Sequence, residues 1–154
     1  MKRNIHLNVN GIDYEGEIDV RRTLLEVLRE TFGLMGTRKG CNEGECGACT
    51  VLLDGKPVLS CLLLAVEAQG KRIDTVEGLA QNGELDPLQK SFIEHGALQC
   101  GFCTSGMLMA ARGLLNENPS PDEQQIRQAI AGNLCRCTGY DKVVKAIMAV
   151  AGKK

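Results

Sequence analysis

The chain has 154 residues, with 18 lysines and arginines against 19 aspartates and glutamates, and a formal net charge of −1. This balance lacks the basic footprint of a nucleic-acid-binding protein, and the scattered cations argue against an anchor for anionic membranes. No apolar run approaches the roughly 20 residues that span a bilayer, so the sequence excludes a membrane span.

The first 76 residues have the pattern of a small β-rich domain. Apolar and polar residues alternate on either side of Asn10-Gly11, a turn dipeptide, which predicts an N-terminal β-hairpin. Thr23 and Glu26 have the spacing of a capping box, which predicts the start of a short helix. The predicted elements are a hairpin over residues 5–20, a helix from Thr23 to Gly33, a second hairpin over residues 50–61 around Asp54-Gly55, and a last strand at residues 73–76.

The most informative stretch lies between this helix and the second hairpin. Cys41, Cys46 and Cys49 have the spacing C-x4-C-x2-C, and Cys61 follows with eleven residues between it and Cys49. Plant-type ferredoxins hold one 2Fe–2S cluster with four thiolates at this spacing. The four cysteines therefore predict a 2Fe–2S site in a ferredoxin-like β-grasp domain.

Glycines around these cysteines fit the same prediction. Gly40, Gly44 and Gly47 flank or separate the thiols. A loop that wraps a cluster closely must turn its backbone amides towards the sulfur atoms. That geometry needs positive φ angles and missing Cβ atoms, both of which glycine supplies without strain.

Downstream of Glu77 the apolar periodicity becomes helical. Caps and breakers divide this half into four short helices, which suggests a small four-helix bundle. The predicted helices begin at Asp86, Thr104, Pro121-Asp122 and about Tyr140, and end near Glu94, Asn116, Gly132-Asn133 and Val150. The fold class predicted for the chain is α+β, with domains at residues 1–76 and 77–154 that pack together because the connector is short.

The helical half contains a second set of four cysteines. Cys100 and Cys103 form a C-x2-C pair, Cys135 and Cys137 form a C-x-C pair, and both pairs fall between predicted helices. Cys103 and Cys137 precede helices, where free amides and the macrodipole favour a thiolate. Arg136 adds a positive charge. The pattern predicts a second 2Fe–2S site, and the two quartets account for all eight cysteines.

Other interpretations of these cysteines follow from their chemistry. C-x2-C pairs also bind zinc, but zinc sites rarely include C-x4-C-x2-C or C-x-C, so a zinc-stabilised interaction module is the alternative from another class. Disulfides are disfavoured because we expect a cytoplasmic chain: Arg21-Arg22 precedes a charged helix start, not the apolar region of an export signal. An electron carrier for another dehydrogenase would need the β-rich half but not the helical half. No Ser-His-Asp set or phosphate loop indicates a catalytic site on this chain.

With both cysteine sets in view, the sequence resembles the small iron–sulfur subunit of the molybdenum hydroxylases, the xanthine dehydrogenase and aldehyde oxidoreductase family. The matching stretches are residues 40–51, 99–104 and 132–140. The resemblance covers nearly the whole chain and implies a plant-ferredoxin-like β-grasp domain followed by a four-helix bundle domain. One departure is Ser105, where the family usually has proline. We expect this change to have a small effect on stability and none on the ligand set.

The resemblance also implies partners and a direction for electrons. A large subunit would hold a molybdenum–pterin cofactor, and a medium subunit would hold FAD, in a hetero-oligomer such as a dimer of heterotrimers. Gln99 and Cys137 would lie at the pterin. Electrons would pass from the pterin to the cluster of the helical half, then to that of the β-grasp half, and on to FAD. The substrate would be a purine, another N-heteroaromatic or an aldehyde, with hydroxybenzoyl-CoA reductase and carbon monoxide dehydrogenase as alternatives within the family.

Overall fold

In the computed structural model, which describes residues 1–152, a five-stranded sheet precedes four longer helices. The strands are β1 (Lys2–Val9), β2 (Ile12–Asp19), β3 (Thr50–Leu53), β4 (Lys56–Leu59) and β5 (Arg72–Asp74). The helices are α1 (Leu24–Glu26, continued by a π-helical segment at Val27–Thr31), α2 (Pro87–Glu94), α3 (Thr104–Glu117), α4 (Glu123–Ile130) and α5 (Asp141–Val150). Short 3₁₀ turns occupy Ala65–Ala68 and Val76–Gly78. The fold is α+β, as predicted.

The sheet has the strand order β2-β1-β5-β3-β4 and is mixed, since β1 and β5 run parallel while the other neighbours are antiparallel. The predicted N-terminal hairpin is confirmed. Asn10 and Gly11 have φ angles of 56° and 78°, the positive values that a tight two-residue turn requires. Alternation places Ile5, Leu7 and Val9 in the core of this half.

Two predicted elements of the β-rich half differ in detail. The capping box at Thr23 and Glu26 is present, but after one α-helical turn the chain widens into a π-helix as far as Thr31. Strand β4 ends at Leu59, so Cys61 lies in the turn after the strand and not within it. This turn frees Cys61 from sheet pairing and leaves its side chain available to a site.

The helical half has its own apolar core. Asp86 and Asp122 cap α2 and α4, where the sequence predicted these helices to begin, and each takes part in a complete capping box. Ser105 lies in the first turn of α3, where its hydroxyl is buried and makes no hydrogen bond in the described structure. The largest fully buried side chains of this half are Leu88, Phe92, Met107, Met109 and Ile126.

The two halves pack directly against each other, which confirms the expectation drawn from the short connector. Helix α3 crosses β3 and β4 so closely that a Cβ on Gly113 would lie 2.4 Å from Cγ of Pro57 and 3.1 Å from Cδ2 of Leu52. Gly113 lies within α3 and has no positive φ angle, so the close packing requires its missing side chain and not an unusual backbone conformation. The first turns of α3 lie against the cysteine loop of the other half, since a Cβ on Gly106 would lie 2.4 Å from the carbonyl oxygen of Gly47.

Within residues 1–152, no helix is both long enough and apolar enough to cross a membrane.

Gly113→Ala tests the packing between the halves. The new methyl group must displace the stiff ring of Pro57, and we expect this overpacking to outweigh the helix propensity gained, with a net loss of about 1 kcal/mol in the free energy of unfolding. Urea denaturation of the full chain measures the change. Gly132→Ala is the matched control, since a Cβ there meets no atom within 4 Å. Equal stabilities of the two variants would contradict the close approach.

Candidate metal centres

All eight cysteines lie within the described residues, and all eight are free thiols. They form two groups, one in each half. Among residues 1–152, no three His, Cys, Asp or Glu side chains are arranged around a point as ligands of a single metal ion. Thiols instead neighbour one another in pairs, and hydrogen-bond donors face the sulfur atoms of Cys41, Cys46 and Cys135.

In the first group, backbone amides point at the sulfur of Cys41. The N–H groups of Glu43, Glu45 and Cys46 each donate to Cys41 Sγ at 3.4 Å, and the N–H of Cys41 donates to Cys46 Sγ at 3.4 Å. These donors, that of Glu43 foremost, lower the pKa of the Cys41 thiol to about 7. The loop therefore favours thiolates, the form of cysteine that binds metal.

The other two thiols of this group lie deeper. Cys49 and Cys61 are buried and pack with Leu25 under the loop. Burial, and then the adjacent Cys49 thiol, raise the pKa of Cys61 to about 11, and the charge of Cys41 acts in the same direction. Cys61 therefore lies beside Cys49 and within range of the charge of Cys41, and a positively charged iron centre would relieve the cost of ionising the buried pair.

The predicted glycines form a close-fitting cradle, each for a different reason. A Cβ on Gly40 would lie 2.6 Å from Cys46 Sγ, so Gly40 is needed for close approach, and its φ angle is not positive. Gly44, at φ +82°, has Leu62 Cδ1 at 2.4 Å from a Cβ position. Gly47, at φ +73°, faces the carbonyl oxygen of Gly132 at 2.3 Å. The residues present fit a cluster wrapped by backbone.

In the second group, the sulfur of Cys135 receives the local donors. The backbone N–H and the hydroxyl of Thr138 donate to Cys135 Sγ at 3.4 and 3.2 Å. Burial acts to raise the pKa of this thiol, but the two Thr138 bonds outweigh it and lower the pKa to about 7. Burial and the adjacent Cys135 raise the pKa of Cys103 to about 12. Cys137 neighbours Cys100, whose thiol raises the pKa of Cys137.

Only one of the two cysteines predicted at helix N-termini lies directly at one. Cys103 is the N-cap residue of α3, although its side chain makes no capping hydrogen bond. The expectation for Cys137 was wrong, because α5 begins at Asp141 and its N-cap is Tyr140, at φ +71°. Residues 138–140 instead form a turn that returns the Thr138 donors to Cys135. The hydroxyl of Tyr140 braces this turn by accepting the N–H of Cys135 at 2.8 Å.

The second group opens onto a surface cleft of about 510 Å³. Cys100 and Cys137 are exposed in it, as are the apolar side chains of Phe102 and Leu134. Arg136 lines the same cleft. Gln99, at the edge, donates from Nε2 to the carbonyl oxygen of Cys137 at 3.1 Å. The structure thus brings Gln99 beside the second group on an accessible face.

Comparisons with known proteins agree with both halves. Residues 7–80 match the family described as "2Fe-2S iron-sulfur cluster binding domain", and residues 75–148 match "[2Fe-2S] binding domain". The chain is 48% identical over 146 residues to the nicotinate dehydrogenase small FeS subunit of Eubacterium barkeri, covering 95% of this chain and 93% of that one. It is 52% identical over 141 residues to the beta subunit of the 6-hydroxypseudooxynicotine dehydrogenase complex of Paenarthrobacter nicotinovorans, covering 91% and 88%. Quinoline 2-oxidoreductase from Pseudomonas putida 86 superposes with a TM-score of 0.94 at 50% identity, covering 97% and 93%.

The chain belongs to the small iron–sulfur subunits of the molybdenum hydroxylases. The relatives are subunits of oxidoreductase complexes, so the role of this small iron–sulfur subunit is electron transfer. Both of its halves are 2Fe–2S-binding domains.

In this small iron–sulfur subunit the two cysteine groups are in contact through the backbone. The N–H of Leu134, next to Cys135, donates to the carbonyl oxygen of Cys46 at 2.9 Å. This bond joins a residue of the first group to the neighbour of a residue of the second. Sequence reasoning did not find the contact, because nothing in the local pattern of either loop specifies its partner.

Gly47→Ala tests the cradle. The new methyl group would be strained at the positive φ angle of Gly47 and would also clash with the backbone carbonyl of Gly132. We therefore expect the free energy of unfolding to fall by about 3 kcal/mol or more. Gly55→Ala is the matched control: its φ angle is +82° but a Cβ meets nothing within 4 Å, so about 1–2 kcal/mol of strain is expected alone. Denaturant titration of both full-length variants measures the difference. Equal losses would show that the close approach at Gly47 is not essential.

Proposed function

We propose that the small iron–sulfur subunit carries two 2Fe–2S clusters and relays electrons from a molybdenum–pterin centre on a large subunit towards FAD on a medium subunit. The ligands are Cys41, Cys46, Cys49 and Cys61 in the β-grasp half, and Cys100, Cys103, Cys135 and Cys137 in the helical half. When bound, each cluster accepts and releases one electron at a time. The observation that carries the proposal is that thiols within each half neighbour one another, Cys49 with Cys61 and Cys103 with Cys135, while hydrogen-bond donors face Cys41 and Cys135.

The donor arrangement supports cluster binding by each quartet. Amides aimed at Cys41 and the Thr138 bonds to Cys135 stabilise negative charge on sulfur, which a cluster with four thiolates retains in both oxidation states. Hydrogen bonds to the sulfur atoms also raise the reduction potential relative to a cluster without them. The protein contribution is therefore to hold thiolates in place and to set potentials, with no bond chemistry of its own.

The order of the two quartets is supported by their exposure. Cys100 and Cys137 are exposed in the cleft, whereas Cys49 and Cys61 are buried. A cleft of this kind fits the quartet that receives electrons from a partner. Gln99, bonded to the Cys137 carbonyl at the cleft edge, would hydrogen-bond the pterin, and Cys137 would be the thiolate nearest to it. The quartet of the β-grasp half would face the flavin subunit.

The domain division supports the same arrangement. We assign residues 1–76 to the ferredoxin-like domain and residues 77–154 to a four-helix bundle formed by α2 to α5, each with its own core. A cytoplasmic location fits eight free thiols, because reducing compartments keep cysteines available for metal. The assembly would be a hetero-oligomer, with a dimer of heterotrimers as the proposed form.

The substrate of the complex would be an N-heteroaromatic compound. Relatives named for nicotinate and quinoline act on molecules of that class, and they cover nearly the whole chain. The substrate would bind the large subunit, so hydroxylation assays on the purified complex with nicotinate or quinoline, and with an aldehyde as the comparison, test this class. Turnover of the aldehyde alone would exclude it.

Metal content distinguishes the proposal from a zinc-stabilised module. Protein purified anaerobically should be brown, contain about four irons per chain, and show two distinct EPR signals after reduction, because it holds two 2Fe–2S clusters. Absorption, metal analysis and EPR on the same sample provide the measurement. A colourless protein with stoichiometric zinc would refute the proposal, and a single cluster would favour the simple electron carrier.

Two cysteine substitutions test the order of transfer in the assembled complex. Cys137→Ser should impair reduction of both clusters by substrate, because it disrupts the step next to the pterin. Cys46→Ser should leave the cluster of the helical half reducible, because that cluster precedes the altered one. EPR of each complex after anaerobic addition of substrate measures this. If Cys46→Ser in an intact complex blocked reduction of the helical-half cluster, the proposed direction would be wrong.

A further inference from the structure

Asn133 is a buried polar residue at the junction of the two cysteine loops. Its side chain is only 4% exposed, and its Nδ2 donates to the carbonyl oxygen of Gly47 at 3.0 Å and approaches Thr50 Oγ1 at 3.4 Å. Gly47 lies between Cys46 and Cys49, and Asn133 is two residues before Cys135. One side-chain amide therefore joins the ligand loop of one half to the ligand loop of the other.

The backbone of Asn133 is itself held in place. Its N–H donates to the carbonyl oxygen of Ile130, the last residue of α4, at 2.9 Å. The next residue, Leu134, donates its N–H to the carbonyl oxygen of Cys46 at 2.9 Å. The side-chain amide of Asn133 thus extends from a fixed helix end to the cysteine loop of the first half. Next to it lies the Leu134–Cys46 bond, which is the only direct backbone hydrogen bond between the two ligand loops within residues 1–152.

Glycines allow this junction to be tight. A Cβ on Gly106, in the first turns of α3, would lie 2.4 Å from the carbonyl oxygen of Gly47 and 3.2 Å from Asn133 Nδ2. A Cβ on Gly47 would lie 2.3 Å from the carbonyl oxygen of Gly132 and 2.8 Å from Asn133 Nδ2. Three backbone segments therefore meet around one amide group, with no side chain between them to take up a shift.

We infer that Asn133 is a positioning residue whose amide sets the separation and relative orientation of the two sulfur quartets, and thereby the electronic coupling between them. The inference rests on the proposed function, because it takes the quartets to be cluster ligands. The transfer moves one electron, oxidises one centre and reduces the other, and makes or breaks no bond. The rate of electron tunnelling falls steeply with the distance between the two centres, so a displacement of either ligand loop changes that rate.

The hydrogen bonds of the Gly47 carbonyl indicate that Asn133 does more than satisfy a buried acceptor. The Gly47 carbonyl already accepts the Thr50 hydroxyl at 2.7 Å and the Thr50 N–H at 3.2 Å, both from its own half. It would not be left unpaired without Asn133. The Asn133 bond is therefore not needed to satisfy that carbonyl, and what it adds is a connection between the halves.

The test compares Asn133→Asp with Thr50→Val in the full chain within its complex. Aspartate keeps the size of the side chain but turns the donor into a carboxylate oxygen that faces the Gly47 carbonyl, which should push the loops apart. Valine removes the hydroxyl that donates to the Gly47 carbonyl at 2.7 Å and accepts from Asn133 Nδ2 at 3.4 Å, but it leaves the Asn133–Gly47 bond in place. Asn118→Asp, at an amide bonded to Gln125 at 3.1 Å near the end of α3, is the control far from the junction.

Low-temperature EPR of the fully reduced protein provides the decisive readout, since two nearby paramagnetic centres split each other's signals. We expect a smaller splitting in Asn133→Asp, with each cluster's own signal retained, and splitting as in the unaltered protein for Thr50→Val and Asn118→Asp. Denaturant titration runs alongside. A purely structural role predicts similar destabilisation by Asn133→Asp and Thr50→Val and no selective change in splitting.

Asn133→Ala, which removes the bond without adding a charge, is the second variant should Asn133→Asp not fold, and it should also reduce the splitting. An unchanged splitting in a folded Asn133 variant would overturn the inference while leaving the two clusters established. Loss of either cluster from Asn133→Ala would also overturn it, because the residue would then serve cluster assembly. Absence of two cluster signals from the unaltered protein would instead refute the proposed function.

Discussion

Negative charge on sulfur is the constraint around which both halves of this subunit are built. Four thiolates repel one another, and each loses hydration as it is drawn into protein. The chain offsets this with hydrogen-bond donors that cannot move away: amides of residues 43, 45 and 46 at Cys41, and the amide and hydroxyl of Thr138 at Cys135. Because most of these donors are backbone, the shape of the loop and not the choice of side chain delivers the stabilisation.

The two halves meet that constraint by different routes. In the β-grasp half, a single loop supplies three of the cysteines and its own donors, and glycine permits the backbone to approach the sulfur atoms. In the helical half, the thiols come in two pairs separated by α3 and α4, so the site forms only when the helices have packed. The first site is therefore mainly local in sequence, whereas the second is a product of tertiary structure.

Sequence reasoning succeeded where the determinants are local. The hairpin at Asn10-Gly11, the capping box at Thr23 and the helix starts at Asp86 and Asp122 all follow from short-range patterns. It failed where tertiary packing decides, as at the π-helical continuation of α1 and at the turn that separates Cys137 from α5. The Asn133–Gly47 bond spans 86 positions along the chain, and neither residue carries a local signal of the other.

The exposure of Cys100 and Cys137 limits how far this chain alone sets the reduction potential of a cluster held there. The solvent around an iron–sulfur centre contributes to its potential along with charge and hydrogen bonding. Around the buried pair Cys49 and Cys61, the polypeptide takes the place of solvent. At the cleft, a molecule docked over these two thiols would complete the wall and change the dielectric on one side. The midpoint potential of a cluster held there would then depend on the assembled enzyme, and docking would tune it.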